Sequence, residues 1–308
     1  MLTEYFRNMF NGELPVVISD SAAAAQWAES AGLPFRYLDE LGAAPEAALV
    51  VLARDENYAR QDLLRGSFAH SRALWFPLAA FDGSDEAVSY GLRHLESMDF
   101  ATMLRGHQAA LKHVEEMSQL SFEGSRGTNI VITFGAEVEF AMLADLKVPV
   151  GDPSPLASFF EFETEIHEEQ FSSGEPLPVV VNGMLRPSGV LTAYGPGRYS
   201  AGHAAVRQAR QLARRASAAR TTVQITDGMV RCIKMDADDV TAEFSALAGP
   251  HGQCISEFAI GFYRAPGGSL DWGINSPVNE GVQGIHLGIG DGYSGMHFDF
   301  VCKDVRFR

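Results

Sequence analysis

The sequence predicts an α/β, Rossmann-like domain over residues 1–122, followed by a mainly β (α+β) domain over residues 123–308. Three observations carry this expectation. Short apolar runs alternate with helical stretches in the first part, β-rich segments separated by glycine and proline dominate the second, and the polar stretch SQLSFEGSRG lies between them.

PVVIS (15–19) and ALVVLA (48–53) are apolar runs of strand length, and ALWFPLAAF (73–81) contains a third. SAAAAQWAESAG between the first two is a helix closed by Gly32. Strands separated by crossover helices pair in parallel, but no GxGxxG follows the first strand, so no nucleotide is expected there. Residues 84–120 carry apolar side chains at helical spacing around a break near Met98 to Phe100. The β-rich part runs through GTNIVITFG, PVVVNGML, GVLTAYG, RTTVQITDGMVRCIKM, SEFAIGFYRA, GIHLGIG and MHFDFVCKDV, with one arginine-rich helix near 204–219 and a hairpin turn at Asp227-Gly228.

Hydrophobic residues make up 46% and charged residues 20% of the 308, the balance of a folding globular chain and not of a disordered one. The net charge of −15 repels phosphate backbones and excludes nucleic acid as the expected partner. Cys232, Cys254 and Cys302 are widely spaced with no CxxC pair, which argues against a zinc knuckle or a disulfide framework. No apolar run approaches the roughly 18 residues needed to span a bilayer, and the start lacks a basic region followed by an apolar one, so a cytoplasmic protein with no membrane partner is expected. In FEFETEIHEEQF (160–171), alternation puts Glu161, Glu163 and Glu165 on one face of a strand. A solvated edge is the favoured reading, and a patch for a basic peptide is the alternative.

The stretch EGVQGIHLGIGDGYSGMHFDF (280–300) raises the question of a metal. His297 and Asp299 are two apart, so on a strand both point to one face while Met296, Phe298 and Phe300 point to the other. If DGYSG closes a hairpin, His286 and His297 meet across adjacent strands. Two histidines and a carboxylate on a sheet are enough for one divalent metal, iron or zinc, and the bland alternative is a pair of buried histidines bonded to Asp299 and to backbone.

Taken in order, GTNIVITFGAEVEF, PSGVLTAYG, TVQITDGMV, SEFAIGF, GIHLGIG and HFDFV resemble the thermophilic aminopeptidase (aminopeptidase T-like) metallopeptidase family over roughly residues 125–308. That family also has a mononuclear-iron 2,5-dihydroxypyridine dioxygenase branch, so the resemblance alone leaves the reaction open. It implies metal-ligand roles for Glu257, His286, His297 and Asp299. Glu257 is further implied as a fourth ligand or general base, and Tyr293 as a group near the metal that polarises a bound ligand. It also implies a homodimer paired through the β domain. The chain departs from the family in two places. Where the family has a ligating glutamate in "PxGEVFTAP", Pro187-Ser188-Gly189-Val190-Leu191-Thr192-Ala193 has none, and only eleven positions separate His286 from His297.

Loss of a carboxylate from a two-metal site is costly for hydrolysis. Glu161, Glu163 and Glu280 are the available substitutes. In its reduced length the chain also resembles the peptide-binding accessory proteins of crocagin-like ribosomal-peptide pathways. The resulting expectation is a degenerate metallopeptidase scaffold that binds a precursor peptide in modified-peptide natural-product biosynthesis, by strand addition at an exposed sheet edge. The alternative is a mononuclear metalloenzyme, either a non-haem iron oxygenase or a metal-dependent hydrolase or aminopeptidase.

Overall fold

Apolar runs buried on both faces make the first sheet. Its strands lie in the order Phe35–Tyr37, Val16–Ser19, Ala47–Val51, Arg72–Phe76 and Ser154–Pro155, and every pairing is parallel. Ala47–Val51 is buried along its full length, as expected of a central parallel strand covered by helices. The helix Ala22–Ser30 starts where Ser21 Oγ accepts from the backbone N–H groups of Ala23 and Ala24, which removes two orphan donors of its first turn. The computed structural model describes residues 2–135, 138–173, 176–268, 270–303 and 305–307. Ala136 and Glu137 of the GTNIVITFGAEVEF stretch and Asp304 of MHFDFVCKDV lie outside the described residues.

The break near residue 99 separates the helix Asp85–Glu96 from α1 (Phe100–Glu116), and Asp99 caps α1 by accepting from Thr102 N at 3.0 Å. The polar stretch read as a boundary is not a loop. It forms the strand Gln119–Gly124 and the turn leading to Asn129–Phe134, so position 122/123 falls inside a strand. These two strands belong to a seven-stranded antiparallel sheet that runs from Asp238–Asp239 at one edge to Val305–Phe307 at the other. Asp227-Gly228 makes the hairpin turn in it between Thr221–Thr226 and Met229–Met235.

The third sheet carries the chemistry. It comprises β1 (Glu161–Glu165), β2 (Gly189–Ala193), β3 (Ile255–Gly261), β4 (Gly284–Ile289) and β5 (His297–Lys303), in the spatial order β2-β5-β4-β3-β1, all antiparallel. One face is apolar. Phe258, Leu287, Phe298 and Phe300 are buried there in one core with Phe122 and Phe134 of the seven-stranded sheet, and the Phe258 ring lies 6.0 and 5.9 Å from theirs. α2 (Ala204–Ala218) closes the side of this core with Val206, Ala209, Leu212, Ala213 and Ala216. Among its arginines, Arg210 donates to the Phe81 carbonyl and Arg215 pairs with Glu243 at 3.2 Å.

Neither edge of this sheet is open along its length to an added strand. On β2, Ser217 Oγ accepts from Val190 N and donates to Val190 O, while Asn275 accepts from Thr192 N and donates to the carbonyls of Thr192 and Phe81. On β1, Glu163 and Ala141 exchange backbone hydrogen bonds at 2.8 and 3.0 Å. Side chains and a crossing segment thus occupy the groups that strand addition requires, which is how natural sheets blunt their edges. The expectation of strand addition at this sheet is therefore corrected.

Asn275 serves three backbone groups from a buried position. Asn275→Ala is expected to cost about 3 kcal/mol, because buried donors and acceptors lose their partners. Urea unfolding measures it, and a loss below about 1 kcal/mol would show that water replaces the side chain there.

Candidate functional site

The face of the sheet opposite the core carries acids and imidazoles in register. One row crosses all five strands as Leu191, Asp299, Gly288, Glu257 and Glu165, and the next runs Gly189, Val301, His286, Ala259 and Glu163. Period-two alternation thus delivers Asp299 and Glu257 to the same side of non-adjacent strands, with glycine between them. A Cβ on Gly288 would lie 2.6 Å from His297 Cε1 and 2.9 Å from Glu257 Cβ, so only glycine there lets the imidazole cross β4 to reach Glu257.

The two histidines do not meet directly. Glu257 bridges them, with Oε1 2.6 Å from His286 Nε2 and Oε2 3.0 Å from His297 Nε2. His297 Nε2 also lies 2.6 Å from Asp299 Oδ1, and its Nδ1 lies 2.6 Å from the Gly290 carbonyl. A carbonyl only accepts, so Nδ1 carries a proton, and Nε2 then points at two carboxylates. That arrangement calls for a proton between Nε2 and an acid, on the ring or on a carboxyl, or for a cation in its place.

The structure places Glu257, His286, His297 and Asp299 together, with His297 partly exposed and the other three buried. Tyr293 stands apart from this contact set. It is 60% exposed at the rim, with its ring against Gly195, on a turn that Asp291 builds by accepting from the N–H groups of Tyr293 and Ser294. Glu280, on the short helix α3 (Pro277–Glu280), joins the cluster from outside the sheet: ligand atoms of Glu257, Glu280, His297 and Asp299 all lie within 4.8 Å of one another. Pro277 at the first helical position and the bond from Asn279 Nδ2 to the Asp271 carbonyl fix that helix. Glu280 thus occupies the neighbourhood in which β2 offers only Leu191 opposite Asp299.

The acidic segment is not a solvated edge. Glu161 is 1% exposed, Glu163 half-buried and Glu165 exposed, and all three line a cleft of about 460 Å³ with Glu257, Glu280 and His297. The reading fails because β1, although last in the sheet, turns its carboxylate face into the cleft. A second pocket of about 380 Å³ adjoins the first and shares Glu165, Glu257, Asp291, Tyr293 and His297 with it.

Charge in this volume is unbalanced, because carboxylates outnumber imidazoles. Burial, reinforced by Glu163, Glu257 and Asp299, raises the Glu161 carboxyl well above its usual value. Burial followed by Glu257 and Glu165 does the same to Glu163, and burial followed by Asp299 and Glu161 does so to Glu280. Burial alone would raise Glu257 as well, but His286 and His297 outweigh it and hold that carboxyl well below the usual range. Burial works against charge on both imidazoles, yet Glu257 raises His286, and Asp299 with Glu257 raises His297 well above its usual value.

The donor set fits a divalent cation. Two carboxylates on the sheet, one on α3 and an imidazole held by a backbone carbonyl converge on one point, and Asp299 Oδ2 and His286 Nδ1 are buried with no hydrogen-bond partner. This is a mixed oxygen and nitrogen set of the kind that iron, manganese or zinc accepts.

The pH dependence has a definite sign. Above 4.5 the unfolded chain has released protons that Glu161, Glu163 and Glu280 still hold when folded, so stability falls as pH rises through their raised values. The imidazole contribution is complete below 6.5 and is also lost with rising pH, whereas the Glu257 contribution is present above 4.5 and is lost only as pH falls below that value. Chelator-treated protein is expected to melt lower at about pH 8.5 than at about pH 5.5, by about 5 °C or more. Glu280→Gln flattens that dependence in thermal unfolding, and an unchanged slope would remove Glu280 from the coupled set.

Among solved structures the chain is similar to wild-type AmpT from Thermus thermophilus, with 14% identity, 98% of this chain and 91% of that chain covered, and a TM-score of 0.51. It is equally similar to a 2,5-dihydroxypyridine dioxygenase from Pseudomonas putida KT2440, at 14% identity, 100% and 93% coverage and a TM-score of 0.52. At this identity the likeness is one of fold, and it extends over the N-terminal region as well as the β-rich part. No curated protein matches the sequence. The sequence model described as "Crocagin biosynthetic protein CgnE/B" matches residues 11–308, and the chain belongs to that family of natural-product biosynthetic proteins.

Proposed function

We propose that the protein is a peptide-binding component of crocagin-type biosynthesis, holding a precursor peptide in the cleft above the Glu257–His297 cluster. The observation that carries this reading is the cleft itself. It falls into two adjoining pockets that both reach His297 and Tyr293, and it combines carboxylates with the exposed ring of Tyr293 and with walls closed by the buried rings of Tyr58, Trp75 and Tyr194. Aromatic rings beside charged groups supply contact area and orientation to an extended ligand at little entropic cost. Membership in a biosynthetic family supports a peptide as that ligand. With the edges of the site sheet occupied, recognition falls to side chains in the cleft and not to strand addition.

A second reading rests on the ligand cluster. His297, Asp299, Glu257 and Glu280 would hold a divalent cation, with His286 fixing Glu257 from behind through its 2.6 Å contact. A bound cation there would supply Lewis acidity to a group entering the cleft. On this reading Glu257, engaged by both histidines, positions the cluster, and Tyr293 orients the entering group from the rim.

Fluorescence anisotropy with a labelled synthetic precursor peptide tests the first reading. Tyr293→Ala is expected to weaken binding about tenfold, the usual effect of removing an interfacial tyrosine, with an unchanged melting temperature because the ring is 60% exposed. No binding by the wild type, or no effect of the substitution, counts against it. Elemental analysis of tag-free wild type beside His297→Ala tests the second, for which about one equivalent of metal lost in the variant is expected.

A further inference from the structure

The β1 wall of the cleft carries three carboxyl groups outside the set that converges at His297. Successive residues of a strand rise by about 3.3 Å, so Glu161, Glu163 and Glu165 present carboxylates about 6.6 Å apart, descending from the rim into the protein. The lowest of them, Glu161, is 1% exposed, and its Oε2 has no hydrogen-bond partner. A buried acceptor without a donor is costly, and native structures seldom tolerate one that no ligand or water ever satisfies.

The His297 imidazole faces the same cleft but is engaged by Glu257 and Asp299. Among the described residues no lysine or arginine forms an ion pair with Glu161, Glu163, Glu165 or Glu280. Arg65 lines the same cleft, but it is committed to Asp152 at 2.6 Å and to the Pro153 carbonyl. The tyrosine hydroxyls nearby are also committed: Tyr58 donates to the Tyr194 carbonyl, and Tyr194 donates to Asp55 Oδ1. The Tyr58 and Tyr194 rings are themselves buried against each other and close the cleft beside the acids.

We propose that Glu161 and Glu163, walled by Tyr58 and Tyr194, form a receptor for a cationic group of the bound peptide, which donates N–H bonds to the unpartnered Glu161 oxygen. The inference rests on the peptide-binding reading and specifies its ligand. An ammonium or guanidinium supplies both the donors and the charge. The group comes either from a lysine or arginine side chain or from the peptide's α-amine, and the two sources share this chemistry.

The test is an array of immobilised peptides with randomised flanks free of lysine and arginine. The central residue is lysine, arginine, norleucine or glutamate, and each peptide carries a free or an acetylated N-terminus. The array is probed with the purified full chain and with its Glu161→Gln and Glu163→Gln variants. The wild type is expected to retain cationic peptides about tenfold better than neutral ones, and both variants are expected to lose that preference. A preference abolished by acetylation assigns the cation to the α-amine, and one that survives assigns it to the side chain. Equal retention of acetylated norleucine and lysine peptides, with no gain from a free N-terminus, overturns the receptor while leaving peptide binding intact. Retention of no peptide at all overturns the peptide reading and this inference together. Should Glu161→Gln fail to fold, the half-buried Glu163→Gln decides, and an undiminished preference in it overturns the receptor.

Discussion

The structure depends on burying an excess of negative charge on one face of a sheet. Removing a carboxylate from water is expensive, and two imidazoles do not neutralise Glu161, Glu163, Glu257, Glu280 and Asp299. Glu257 is the part that is solved: each oxygen has an imidazole within 3.0 Å, and its charge is held in place. The remaining acids raise one another, and the folded chain tolerates them by keeping protons or by accepting a cation from outside. The rest of the architecture keeps that face aligned. The phenylalanine core on the reverse side fixes the sheet, Gly288 leaves room for His297, and Asn275 and Ser217 hold β2 against slippage.

The cluster's acids come from more than one kind of element. β2 turns Leu191 toward Asp299, and Leu191 packs with Val282 and Val301 in a small apolar cluster. The fourth acid arrives instead from α3, through Glu280. The cluster therefore draws its carboxylates from two strands of the sheet and from a helix, and a shared fold does not oblige the chain to share the chemistry of its structural neighbours. Those neighbours, an AmpT and a dioxygenase, already carry different names on one fold.

Much of this was legible in residues two apart. The HxD spacing put His297 and Asp299 on one face and Phe298 on the other, and Asp227-Gly228 marked its hairpin because a two-residue turn has few solutions. The helix break was readable at Asp99, whose carboxylate caps α1. The features that stayed hidden depend on strand order. Glu257 bridges two histidines only because β3 lies beside β4, and the acids of β1 face a cleft only because of the elements that stand opposite, which alternation cannot show. Glu280 sits on a helix too short to have a period, and the polar stretch at 119–124 became a strand because its alternate residues Leu120 and Phe122 are buried.

Both functional readings draw on the same electrostatics, so the difference between them lies in size and direction. The convergence of Glu257, Glu280, His297 and Asp299 within 4.8 Å is scaled to a bare ion. The ladder on β1, roughly 13 Å from Glu161 to Glu165 at strand rise, is scaled to an extended organic ligand and opens toward solvent. An ion bound at the first neutralises the acids nearest His297 and leaves Glu161 Oε2 without a donor. A peptide cation bound at the second supplies that donor and still leaves Nε2 of His297 facing two acids. Each ligand would satisfy groups that the other leaves unpaired, so the two readings differ in which buried atoms they account for.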